Sequence, residues 1–128
     1  MELDFMLSGN GTTVDLNVLQ DLVGDDIKAI QTVFELFLST MPPAIKDMKR
    51  YYEQKDWENL FKAAHTMKSS FSVIKVDSLY EAVVDIESKV ENRVDLDSIL
   101  PLIDLIEQKY AIAEDLLKNE LQRYRLNS

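Results

Sequence analysis

His65 is the only histidine among the 128 residues, and it lies in the stretch AAHTMKSSFSV, residues 63–73. Histidine can act as a general base, ligate a metal or carry a group as a nucleophile. A serine hydrolase also needs oxyanion donors and an activated serine, and the sequence has neither a nucleophile elbow nor a glycine-rich turn. A metal site in a helical bundle needs several histidines paired with carboxylates, and the absence of cysteine excludes thiolate sites. We therefore predict no metal site, and the remaining role for His65 is a nucleophile that transiently holds a group.

The neighbours of His65 divide into two faces if the stretch is helical. At about 100° per residue, the side opposite the histidine carries an apolar core stripe of Leu60, Ala63, Met67, Phe71 and Ile74. The side of the histidine itself carries Glu58, Phe61, Lys62, Lys68, Ser69 and Ser72. We expect His65 to face solvent, where an ordinary surface role is the simplest interpretation. Lys62 and Lys68 would favour an anion held on the imidazole. The small side chains of Ser69 and Ser72 would leave the ring accessible to a large partner molecule.

Helical periodicity extends over most of the chain. All three glycines lie in the first 24 residues, and the prolines are Pro42, Pro43 and Pro101, so that long stretches are free of helix breakers. The segment VDLNVLQDLV predicts a short helix that ends at Gly24, and Asp25 is predicted to cap the following helix. Pro42 and Pro43 are predicted to lie in the first turn of another helix, where a missing N–H group costs nothing.

Three more helices are predicted downstream. Asp56 caps the helix that carries His65 and runs to about Lys75, and Asp77 caps the next, whose inward residues are Leu79, Ala82, Val83, Ile86 and Val90. The polar stretch ENRVDLD leads to a long final helix with Pro101 in its first turn. No alternating strand pattern competes with the helical one. The predicted fold is all-α: an antiparallel four-helix bundle with an additional short N-terminal helix, in a single domain over residues 14–128 that follows a flexible leader over residues 1–13.

Composition narrows the classes of partner. Lys and Arg total 14 and Asp and Glu total 23, giving a formal charge of −9, which disfavours binding to nucleic acid or to anionic lipid. The first ten residues, MELDFMLSGN, are acidic where a secretory signal would be basic. No apolar run approaches the roughly 18 residues that span a membrane. We expect a cytoplasmic protein whose partners are other proteins.

The segment DWENLFKAAHTMKSS, residues 56–70, resembles the region around the active histidine of the histidine-containing phosphotransfer (HPt) domain, whose pattern is approximately DWxxLxxAAHxLKGS. The upstream segment VFELFLSTMPPAIKDMKRYYEQKDW is similar to the family's second and third helices. The resemblance covers about residues 14–121. It implies that His65 accepts a phosphoryl group from the aspartyl phosphate of one receiver domain and passes it to another receiver, without ATP-dependent kinase activity. It also implies that the receiver brings the Mg²⁺, that this chain needs no cofactor of its own, and that it is a monomer.

The resemblance assigns roles around the histidine. Lys68 matches the family lysine that neutralises charge on the phosphorylated ring. Glu87 falls where the family often has a Glu or Gln that hydrogen-bonds Nδ1 of the histidine, although a solvated surface carboxylate is the alternative. The candidate docking residues for a receiver are Phe61, Lys62, Ser69 and Ser72, of which Phe61 could instead pack into the core. Two positions that are commonly glycine in the family are Ser69 and Lys75 here, which affects the fine geometry of docking.

Two alternatives remain open to the sequence. One is an adaptor or decoy of the same fold that binds receiver domains without phosphotransfer. It has no need of His65 or Lys68, and both are present. The other is an unrelated helical scaffold in which the motif is accidental, which would not be labelled by phosphorylated receivers.

Overall fold

The computed structural model describes the backbone of residues 5–126 and the side chains of residues 5–123. Within this part of the chain there are five α-helices: α1 (Asn17–Val23), α2 (Ile27–Glu53), α3 (Trp57–Val73), α4 (Leu79–Asn92) and α5 (Ile99–Leu126). Two β-strands, β1 (Met6–Gly9) and β2 (Thr12–Asp15), precede α1, and a third, β3 (Lys75–Val76), joins α3 to α4. A 3₁₀ turn, Leu96–Ser98, leads into α5. The predicted helical bundle with a short N-terminal helix is confirmed.

The four long helices close around one hydrophobic core. α2 packs against α3 and α5, and α4 packs against the same two helices. Phe37 of α2 contacts Phe71 of α3 edge to face, with ring centroids 5.9 Å apart, and Tyr110 of α5 at 5.8 Å. Such aromatic pairs add specific geometry to the burial of apolar surface. The centre of the bundle is thus fixed by three rings from three helices.

The prediction that a new helix begins at Pro42 and Pro43 is wrong, because both prolines lie inside α2. An interior proline removes a backbone donor and crowds the carbonyl four residues earlier, which here are the carbonyls of Leu38 and Ser39. The buried residues of α2 continue in register on both sides of the prolines: Ile30, Phe34, Phe37, Met41, Ile45 and Met48. Burial of this unbroken stripe outweighs the local cost of the prolines and keeps one long helix.

Of the three predicted helix caps, only Asp56 is confirmed. Its side chain accepts a hydrogen bond from the backbone N–H of Asn59 at the start of α3. The cap of α2 is Asp26, which accepts from Ala29, and not Asp25. α4 begins after Ser78, whose backbone is left-handed, so Asp77 does not cap it. The Asp77 carboxylate instead accepts from Lys109 Nζ of α5 at 3.0 Å.

The small sheet was not predicted. β1 and β2 form an antiparallel hairpin with Gly9 opposite Thr12, and β2 pairs with β3 through Val14 opposite Val76. Asn10 and Gly11 have φ of 50° and 76°, as a two-residue hairpin turn of type I′ requires.

The sheet also corrects the predicted flexible leader over residues 1–13. Residues 1–4 lie outside the described residues, and residues 6–13 belong to the hairpin of β1 and β2. Leu7, Thr12 and Val14 are buried, and both strands pack against α5. Burial against the bundle gives these residues the tertiary contacts that a free leader lacks.

Gly11→Ala should lower the free energy of unfolding by about 1–2 kcal/mol, since an L side chain in the left-handed region is strained. A Cβ at this position would meet nothing within 4 Å, so the loss would come from backbone conformation and not from a clash. Urea denaturation of the two proteins measures the difference. Gly11→Asn is the matched control and should lose less, because Asn tolerates this conformation. Equal stability of all three proteins would show that the hairpin does not contribute to cooperative folding.

Candidate functional site

α3 presents His65 on its outer side. The helix is anchored at its start by the Asp56 cap and by Trp57, whose ring packs edge to face on Tyr52 at 5.9 Å. Its buried residues are Leu60, Ala64, Met67 and Phe71. The predicted stripe contained Ala63, which is only half-buried, in place of Ala64. The other members of the predicted stripe are buried, and α3 packs against both α2 and α4.

The imidazole of His65 is exposed but not free. Its side chain is 64% exposed, as the sequence predicted, and its Nδ1 lies 2.8 Å from Oε2 of Glu87 on α4. An ionised carboxylate can only accept a hydrogen bond, so the proton of a neutral ring belongs on Nδ1. Nε2 then keeps its lone pair. The arrangement presents a nucleophilic nitrogen to solvent while the opposite nitrogen is held by the protein.

Glu87 links two side chains of α3. Its Oε1 accepts from Nζ of Lys68 at 3.0 Å, and its Oε2 faces His65, so one carboxylate bridges two donors on α3. The Glu87 side chain is only 15% exposed. Burial by itself would raise the pKa of Glu87, but the hydrogen bonds and charges of Lys68 and His65 outweigh burial and leave this pKa below its ordinary value. Glu87 is therefore ionised at neutral pH and is not the solvated carboxylate of the alternative interpretation.

The two lysines near His65 are both paired. Lys68 is bound to Glu87, and Lys62 lies 3.4 Å from Glu58, one turn away on the same helix. The small cationic patch predicted from the sequence is therefore largely neutralised. An exposed pair such as that of Lys62 contributes little energy and can exchange partners readily.

The remaining predicted residues lie on or beside α3. Ser69 is exposed and Ser72 is half-buried, and the Ser72 hydroxyl donates to the Ser69 carbonyl at 2.6 Å. Phe61 is half-buried against the core, and its ring lies nearly parallel to that of His65. Lys75 is exposed but belongs to β3, opposite Asp15, and not to α3.

The sequence did not predict a groove that lies between α2 and α3. It is an open cleft of about 320 Å³ to which α3 contributes Lys62, Thr66 and Ser70, while its other wall includes Thr40, Ala44, Asp47 and Tyr51 of α2. Lys62 and Thr66 lie next to His65 along the helix. The α3 wall could be read from helical spacing, but the α2 wall depends on how two helices pack, for which the sequence carries no local signal.

The described residues give no sign of a metal site or a membrane span. Among residues 5–123 no group of three or more His, Cys, Asp or Glu side chains could hold a metal ion. No helix in the same part of the chain is long and apolar enough to cross a membrane.

Comparison with known proteins agrees with this architecture. No curated protein matches the chain. A solved structure of similar fold is histidine-containing phosphotransfer protein B (HptB) from Pseudomonas aeruginosa PAO1, with a TM-score of 0.78 and 23% sequence identity. The similarity covers 87% of this chain and 96% of that chain. The sequence model of the Hpt domain matches residues 32–125, a span that includes His65, Lys68 and Glu87. The chain belongs to the Hpt domain family.

Proposed function

We propose that this chain is a histidine phosphotransfer protein of a multistep two-component phosphorelay and that His65 carries the phosphoryl group. The observation that supports this most directly is the 2.8 Å contact between Nδ1 of an exposed imidazole and an ionised Glu87, which leaves Nε2 free. Membership of the Hpt family supports the reaction class. In this proposal the protein is a carrier and has no ATP-dependent kinase activity.

The transfer reaction uses the lone pair of Nε2. Nε2 attacks the phosphorus of an aspartyl phosphate on a receiver domain, the N–P bond forms, and the P–O bond to the receiver breaks as its carboxylate leaves. Because Nδ1 keeps its proton, the phosphorylated ring is an imidazolium, and Glu87 lies 2.8 Å from the nitrogen that shares this charge. No proton has to leave the site. The same arrangement serves the reverse step, in which a second receiver takes the phosphoryl group.

Lys68 acts in this scheme mainly through Glu87. Its Nζ is bound to the carboxylate 3.0 Å away, on the oxygen that His65 does not use. A carboxylate held between two donors has little freedom to rotate, so Lys68 fixes the acceptor that in turn fixes the ring. This adds a positioning role to the charge-neutralising role that the resemblance implied.

The proposed partners are receiver domains of response regulators or hybrid sensor kinases. A receiver would supply the Mg²⁺ and most of the groups that stabilise charge on the transferred phosphoryl oxygens, because Lys68 is bound to the poorly exposed Glu87 here. The proposed docking surface comprises Phe61, Lys62, Ser69 and Ser72 together with the groove between α2 and α3. We place the reaction in the cytoplasm and treat the carrier as a monomer without a cofactor of its own.

His65→Ala should abolish phosphoryl transfer while changing the free energy of unfolding by about 1 kcal/mol or less, because the ring is exposed. The chain is mixed with a phosphorylated receiver and Mg²⁺, and its intact mass is measured at neutral to alkaline pH. The wild type should gain one phosphoryl group that mild acid removes, and the variant should gain none. A wild type that binds receivers but stays unlabelled would indicate the adaptor or decoy. Labelling of the variant would exclude His65 as the carrier.

Lys68→Ala and Glu87→Ala should each slow transfer by about tenfold or more, the change expected when a charge-assisted hydrogen bond is lost. Lys109→Ala is the matched control, since it breaks a Lys–carboxylate pair of the same 3.0 Å length between Lys109 and Asp77. Single-turnover transfer from a phosphorylated receiver measures all three rates. Equal slowing in Lys109→Ala would mean that the effect is one of stability and not of ring orientation.

The Glu87 carboxylate should also make stability depend on pH. Because its pKa is lowered from 4.5 on folding, its contribution to the free energy of unfolding is complete above pH 4.5 and is lost as pH falls through the lower folded pKa. Glu87→Gln should remove this part of the acid dependence. Urea denaturation of both proteins between pH 7 and pH 3 measures it, and an NMR titration of the carboxyl carbon gives the pKa directly. A midpoint above 4.5 in the folded protein would contradict the proposed bridge.

A further inference from the structure

Phe61 lies one helical turn before His65, and the two rings are almost parallel. Their planes differ by 13° and their centroids are 6.2 Å apart. Side chains of an α-helix lean towards its N-terminus, so the imidazole at position 65 leans over the turn that contains residue 61. The two rings are therefore neighbours along the helix in an offset, nearly parallel arrangement.

The phenyl is itself held in place. Phe61 is half-buried and packs against the hydrophobic core, whereas its neighbour Lys62 is exposed. A side chain anchored in this way loses little further entropy when a second ring packs on it. Phe61 can therefore act as a rigid packing surface for the ring of His65.

Glu87 and Phe61 restrain different features of the imidazole. The hydrogen bond from Nδ1 to Glu87 fixes one atom of the ring at its edge. The ring plane turns about the Cβ–Cγ bond, and one hydrogen bond at Nδ1 tolerates part of that rotation. A flat, nearly parallel neighbour narrows the remaining range, because a rotated imidazole would lose its parallel arrangement with the phenyl. The two contacts together set the direction of Nε2.

We propose that Phe61 is a positioning residue for His65, which sets the plane of the imidazole and shields one side of the phosphohistidine from water. This inference rests on the proposed role of His65 as the phosphoryl carrier. Loss of the phosphoryl group occurs when a water oxygen attacks phosphorus, the N–P bond breaks, and inorganic phosphate leaves the ring. An apolar ring next to the imidazole removes hydrogen-bonding partners that would order such a water. Phe61 thus lengthens the lifetime of the phosphorylated carrier.

The proposed positioning role requires an aromatic residue at position 61, whereas core packing alone does not. Leucine at position 61 would fill the half-buried space but offers no flat face to the imidazole. Tyrosine would keep the flat face. The pair Phe61→Leu and Phe61→Tyr therefore separates ring positioning from simple apolar packing.

The test uses the full chain and phosphoramidate, a small phosphoryl donor, so that no receiver is needed. The rate of phosphorylation, the phosphorylated ring nitrogen and the lifetime of phosphohistidine are followed by ³¹P NMR. Phe61→Leu should shorten the lifetime by about two- to tenfold, the change that corresponds to the loss of one aromatic pair. The product should stay on Nε2 in every variant, because Glu87 still binds Nδ1. Phe61→Tyr should behave as the wild type.

Phe5→Leu is the matched control, since Phe5 is another half-buried phenylalanine that packs against the core. It should leave both the lifetime and the phosphorylated nitrogen unchanged. Contacts between the two rings in the unphosphorylated protein, measured by nuclear Overhauser effects, report the stacking independently. The inference is overturned if Phe61→Leu matches the wild type, or if Phe5→Leu shows the same loss.

The outcomes also separate this inference from the proposed function. If receivers transfer to the wild type and Phe61→Leu keeps a normal lifetime, the phosphorelay role stands and the inference is wrong. If receivers fail to label the wild type but Phe61→Leu shortens the lifetime of the phosphohistidine formed with phosphoramidate, the relay fails and the positioning of His65 by Phe61 stands.

Discussion

The geometry of the site depends on the hydrogen bonds that the carboxylate of Glu87 accepts. It lies on α4, while both of its donors, His65 and Lys68, lie on α3. A carboxylate that is 15% exposed is costly to bury unless hydrogen bonds and charges satisfy it. Lys68 supplies the balancing charge, and His65 supplies the second donor. The orientation of an exposed ring is thus maintained by an acid that has few other ways to satisfy its own oxygens.

This contact can form only if α3 and α4 pack at the right distance and rotation. Two connected features control that packing. The link between the helices is short and passes through β3, which pairs with β2 through Val76 and Val14. The core side of α4 contributes a buried stripe of Leu79, Ala82, Val83, Ile86 and Val90. Glu87 follows Ile86 directly, so burial of this stripe determines where its carboxylate points. The N-terminal hairpin, far from His65 in sequence, therefore belongs to the framework that supports the site.

The sequence predicted what depends on local periodicity. All five inward residues of α4 and the exposure of His65 followed from helical spacing, because an amphipathic face is a local property. The contact between Glu87 and His65 was expected from the family resemblance, since the residues are on different helices and no spacing rule connects them.

The continuity of α2 through Pro42 was not predictable locally, because burial on both sides of it overrides a helix-breaking signal. The Asn10–Gly11 pair is a sequence signal for a hairpin turn. The strands on either side have only four residues each, which is too short for an alternation of apolar and polar residues to be recognised.

The distribution of charge fits the proposed role of His65 as a nucleophile that is restrained by its neighbours and lacks a strong positive field around it. The chain carries a formal charge of −9, and the two lysines next to His65 are paired with Glu58 and Glu87. In the proposed transfer, little positive charge of this chain is left to stabilise the moving phosphoryl group, so we expect the partner to supply that stabilisation. A nucleophile that exchanges a group with a second protein, as we propose for His65, must keep its outer side accessible. Its orientation can then be restrained only by its own protein: Glu87 binds Nδ1 from α4, and Phe61 lies one turn earlier on α3.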